Sequence, residues 1–144
     1  MVQRERMAID RVASLLSQGL RNNEARLLRL ALGSVFVWFG ALKLLGETSV
    51  LSIIQSSYPI LARTPYLQTL GLVETILGLG VLLGWHVRTF AALIVLHLSG
   101  TLLAPFMAPS VVFDPSFPIL TLQGEFVVKN LVLIIVAALL TVRD

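Results

Sequence analysis

The chain has 144 residues, 56% of them hydrophobic and 13% charged, with a mean hydropathy of +0.88. A soluble domain carries about 25% charged residues, so 11 basic and 8 acidic side chains are too few to cover a water-facing surface. Cysteine is absent, which excludes disulfides, thiolate metal sites, Fe–S ligation, CxxC redox chemistry and c-type haem attachment.

The first element is a basic arm over residues 1–26. Val12, Leu15, Leu16 and Leu20 recur at helical spacing, while Arg4, Asp10, Arg11, Ser14, Gln18 and Arg21 fall mostly on other faces. This pattern predicts an amphipathic helix, either lying on the inner leaflet beside anionic lipid or solvated against a partner. Residues 27–144 form the second unit. Its apolar runs at 27–46, 67–85, 89–107 and 126–142 reach the length that crosses a hydrocarbon core, about 17–25 helical residues. The runs are continuous rather than alternating, which favours helices over strands. The two longer connections carry Pro59, Pro65, Pro109, Pro115 and Pro118 with Tyr58, Tyr66, Phe113 and Phe117. Proline breaks helix and aromatics suit the headgroup layer, so both segments are expected to fold back as lids.

Basic residues set the orientation. Arg4, Arg6, Arg11, Arg21, Arg26 and Arg29 lie before or at the start of the first run, Arg88 joins the second to the third, and Arg143 follows the fourth. The remaining connections contain only Arg63. The positive-inside rule then places both termini in the cytoplasm, as an even number of spans requires. The expected fold is all-α: a four-transmembrane-helix bundle with an N-terminal amphipathic interfacial helix.

Charges inside the spans are costly and therefore informative. Lys43, Glu74 and Lys129 each lie 14 residues from the basic residue at the inner end of their span. At about 1.5 Å per residue this puts them in one layer about 21 Å out. Glu47 and Glu125, four residues from Lys43 and Lys129, form a second layer about 27 Å out. The reading is a polar cluster open to the outer face. Either it is a salt-bridge network that fixes helix register, or it is a pocket for a headgroup, a quinone or a small solute. His97 sits deeper, about 13 Å from the inner flank. It is either hydrogen-bonded to a neighbour or placed for proton relay or quinone binding. Gly40, Gly71, Gly78 and Gly100 share faces with these polar residues, and Gly80 with Gly84 makes a GxxxG, a spacing for close helix approach.

Metal binding and bis-histidine haem lack ligands, since His86 is the only other histidine. No P-loop, dinucleotide fingerprint, G-x-S-x-G or HExxH occurs. The arm mixes in Glu5, Asp10 and Glu24 and is poor in aromatics, so no nucleic-acid partner is expected. No residue is assigned a catalytic role.

Three stretches, RLALGSVFVWFGALKLLG (29–46), LGLVETILGLGVLLG (70–84) and LTLQGEFVVKNLVLIIVAALL (120–140), resemble the DoxX-like family of small four-helix membrane proteins. LHLSGTLLAPF in the third span fits more loosely. The polar punctuation carries the resemblance: Gly40 with Lys43, Glu74 before a Gly-rich run, and Gly124-Glu125 with Lys129-Asn130. The resemblance implies a multi-pass protein of a bacterial inner membrane. It also implies association with quinone-reducing or oxidative-stress redox complexes. The expected function is a non-catalytic or quinone-contacting subunit of a membrane redox assembly, with no built-in cofactor. Its partners would be the bilayer, other membrane subunits and a quinone or lipid ligand. The alternatives are a small-solute or lipid-binding protein and a scaffolding accessory subunit with no redox role.

Overall fold

The computed structural model describes residues 2–143. Among the described residues eight helices follow in chain order: α1 (Val2–Asn22), α2 (Glu24–Leu45), α3 (Leu51–Ser57), α4 (Thr64–Leu83), α5 (Val87–Thr101), α6 (Ala104–Met107), α7 (Pro109–Val112) and α8 (Leu122–Arg143). Four segments among the described residues are long and apolar enough to cross a membrane: α2, α4, the α5–α6 segment Val87–Met107, and α8. At 1.5 Å per residue, the 22 residues of α2 extend about 33 Å, the thickness of a bilayer core.

The bundle is two antiparallel pairs, α2 with α4 and α5 with α8. Glycines every seven residues draw the first pair together. A Cβ built on Gly40 would meet the Gly71 carbonyl oxygen at 2.6 Å, and one on Gly33 would meet that of Gly78 at 2.8 Å. Two such contacts per helix make a seam in which backbone rests on backbone. The GxxxG at Gly80 and Gly84 serves other ends. Gly80 makes room for the Phe90 ring, and Gly84 caps α4 at φ +78°.

The inner faces join in one apolar core containing Leu32, Phe36, Leu77, Val81, Ile94, Leu98 and Leu140. The opposite faces are apolar as well: Trp38, Leu72, Ile76, Leu96, Val132 and Ile135 are all at least half exposed. In water such a surface would be an aggregation hazard; against lipid it is the expected exterior. The chain is a multi-pass integral membrane protein.

The expected third span, continuous over 89–107, is broken. Pro105 has no N–H to return to the Thr101 carbonyl, so the helix stops at Thr101 and resumes as α6. The expected lids take definite form: α3 covers the end of the bundle opposite the two termini, while α6 and α7 pack on it and α7 packs on α8. A β-bridge between Phe113 and Leu120 closes the second loop.

Over the arm, α1 is helical from Val2, and Ile9, Val12, Leu15 and Leu20 are more than half exposed. The side chains of Arg4 and Leu16, and the two terminal residues, lie outside the described residues.

Candidate functional site

Each candidate residue sits on the stripe its helix turns toward the bundle. On α4 the buried stripe is Leu67, Gly71, Glu74, Leu77, Gly78 and Val81, and on α2 it is Leu32, Gly33, Phe36, Gly40 and Lys43. This three-and-four spacing aims a side chain at the neighbouring helices. It therefore carries Lys43 and Glu74 inward along with their apolar companions. His97 lies beside Ile94 and Leu98 on the buried face of α5.

The three side chains meet. The Lys43 ammonium donates to Glu74 Oε2 at 2.5 Å, and both side chains are less than a tenth exposed. His97 Nε2 lies 2.8 Å from Glu74 Oε1. A carboxylate only accepts, so the imidazole carries its hydrogen on Nε2, facing Glu74. The edge of the Phe36 ring meets the His97 ring with centroids 5.9 Å apart. Lys43 has two further N–H groups, and His97 has Nδ1; none has a hydrogen-bond partner among the described residues.

His97 is thus in the same layer as Glu74, not about 8 Å deeper. The expected depth of Glu74 was counted from Arg88. However, α4 ends at Leu83 and residues 84–86 turn the chain, so part of that count is not helical rise. Measured from the hairpin, Glu74 and His97 lie at nearly equal heights on the two arms.

The other expected members of the cluster lie elsewhere. Glu47 follows Gly46, which ends α2 in a left-handed conformation, and the Glu47 N–H returns to the Leu42 carbonyl. The i,i+4 relation to Lys43 is therefore lost, and Glu47 is exposed. Glu125 and Lys129 pair with each other at 3.3 Å, with side chains 52% and 70% exposed. Asn130, one residue and about 100° further round α8, faces inward instead. Its amide donates to Thr101 Oγ1 at 2.8 Å, and that hydroxyl donates to the Leu98 carbonyl. Asn130 thereby ties α8 to the broken end of α5.

Above the Lys43–Glu74–His97 cluster lies a cavity of about 320 Å³. Phe36, Phe39, Phe126, Val127 and Leu133 form much of its wall, with Asn130 and Thr101 to one side. In that wall Phe39 and Phe126 meet edge to face, with centroids 5.1 Å apart. Its cover is residues Val50, Ile53 and Ile54 at α3, with Tyr58. Tyr58 fastens this cover, its hydroxyl donating 2.9 Å to the Gly100 carbonyl. Sequence reasoning assigned Tyr58 to the headgroup layer and missed this tie. The helix break at Pro105 was its available signal, because a helix that stops at Thr101 leaves carbonyls in need of donors. Tyr58→Phe is expected to lower stability in detergent by about 1 kcal/mol. Faster amide hydrogen exchange confined to residues 51–61 is the accompanying readout.

The cluster and its cavity fall mostly within a recognisable unit. The DoxX family profile matches residues 25–109, more than half of the chain. The chain belongs to the DoxX family. Searches of curated proteins and of solved structures find no match to it. The matched DoxX segment runs from the start of α2 to the first residue of α7. It contains Lys43, Glu74, His97, Thr101 and the α3 cover. Asn130, Glu125 and Lys129 lie beyond it on α8.

Proposed function

We propose that this DoxX protein is a quinone-contacting, non-catalytic subunit of a membrane redox assembly. The observation that carries this reading is the form of the cavity: apolar walls that end on hydrogen-bonding groups not consumed by the protein. About 320 Å³ falls at the lower end of the range for small-molecule sites, about 300–1,000 Å³. Lys43 offers N–H groups beyond the one bound to Glu74, which suit the carbonyl oxygen of a quinone head. The phenylalanines suit its ring. Glu74 is the positioning residue, since one carboxylate holds both the ammonium and the imidazole. A bound quinone would supply reversible electron acceptance; the chain's own residues bind its head, orient it and exclude water. The basic ends of the spans support an arrangement with the cavity toward the outer face of a bacterial inner membrane and both termini inside.

Short-chain quinone binding to the purified protein in nanodiscs, followed by calorimetry, tests this. Replacing the pair together, Lys43→Met with Glu74→Leu, leaves no buried charge stranded and is expected to weaken binding about tenfold, as the loss of one charge-assisted hydrogen bond predicts. Lys129→Gln, exposed on α8, should bind as the parent does. Equal affinity for a hydrocarbon of the same size would sink the quinone reading and favour the second one, an apolar solute or lipid chain, for which the aromatic wall alone suffices.

A further inference from the structure

At the end of the bundle opposite the cavity, α1, α2 and α8 enclose a recess whose charged lining is Arg21, Glu24, Arg26, Arg29 and Arg143. Four guanidiniums face one carboxylate. Arg143 is paired with Glu24, and Arg29 Nε donates to the Val81 carbonyl at 3.2 Å, so these two tie α2 to α8 and to α4. Arg21 and Arg26 are exposed at the rim. The surroundings are apolar. Leu27, Leu30 and Val142, next in sequence to lining residues, are 45%, 53% and 78% exposed, and Trp85 in the adjoining turn is 68% exposed. On α1, Ile9, Val12 and Leu20 occupy one face at 100° per residue, with Arg11 and Arg21 turned away from it.

We propose that this corner binds the phosphate of an acidic phospholipid, with α1 lying on the same leaflet. A guanidinium fork matches a phosphate in geometry and charge, and basic recesses between spans suit anionic headgroups. Excess positive charge above, with exposed leucine and valine below, is the profile of such a lipid: phosphate at the border, acyl chains against the helices. A free phosphate ion would use the arginines and leave the apolar surround without purpose.

Trp38 and Trp85 are the two tryptophans of the chain, so Trp38→Phe leaves Trp85 as a single reporter beside the recess. The protein is reconstituted in bilayers that mix phosphatidylglycerol and phosphatidylcholine, with bromine on the acyl chains of one lipid at a time. Trp85 should be quenched by the brominated phosphatidylglycerol with a preference above about tenfold, and Arg21→Gln with Arg26→Gln should remove most of it, since roughly fivefold per arginine near an anionic surface amounts to about 25-fold for the two. The charge-keeping pair Arg21→Lys with Arg26→Lys should retain most of it, with unchanged helicity by circular dichroism. Equal quenching by the two lipids overturns the proposal, as does a preference indifferent to the glutamine pair. Inorganic phosphate that abolishes the preference when chloride at equal ionic strength does not would assign the site to a free anion instead.

Discussion

Truncating Glu74 to alanine should destabilise the bundle by about 3–5 kcal/mol, the range for stripping one partner from a buried ion pair. The loss is large because two groups are stranded at once. The Lys43 ammonium, whose side chain is 8% exposed, would lose the carboxylate it donates to, and the His97 N–H would lose its only partner among the described residues. Thermal unfolding in detergent, followed by circular dichroism, reads the effect. Adding Lys43→Met to Glu74→Ala should recover most of the loss, since the stranded charge is then gone. If the double variant is as unstable as Glu74→Ala, the damage comes from lost packing and the ion pair is energetically minor.

A comparable loss is expected from a single added side chain at the seam of α2 and α4. Gly40→Val would drive its Cβ into the Gly71 carbonyl oxygen and the Thr75 backbone nitrogen, each 2.6 Å away. Both obstacles are backbone and cannot rotate aside, so the helices must separate. Overpacking of this kind costs about 1–3 kcal/mol or more, and here it also parts Lys43 from Glu74. Gly100→Ala is the matched control, because its Cβ would meet nothing within 4 Å. A drop in unfolding temperature for Gly40→Val beside an unchanged value for Gly100→Ala is the expected result. Equal behaviour would mean that the seam yields.

The four spans were readable from composition, because a continuous apolar run of bilayer length has few other uses. Membership of the DoxX family was readable as well, from Gly40 with Lys43 and from Glu74 before its glycines. What the sequence concealed depends on rotation and on where helices end. Lys129 and Asn130 are neighbours in the chain, yet 100° of helical turn separates an exposed surface pair from an interior hydrogen bond. Glu47 looked like a partner for Lys43 until Gly46 closed the helix between them. His97 reads as lying deeper than Glu74 because the residues of a tight turn count as helical rise. The tie from Tyr58 to Gly100 joins residues 42 positions apart in sequence, and only the helix break at Pro105 hints at it.

The pairing of the spans has a mechanical consequence. Lys43 and Glu74 ride on the pair that glycines lock backbone to backbone, whereas His97 rides on α5, which packs chiefly on α8. The imidazole–carboxylate bond is therefore a clasp between two rigid halves, and the lysine salt bridge is internal to one of them. If the halves part, the clasp must open while the charged pair travels intact. The cavity lies along that parting line, so an occupant touching both halves would hold them together as well as fill the space.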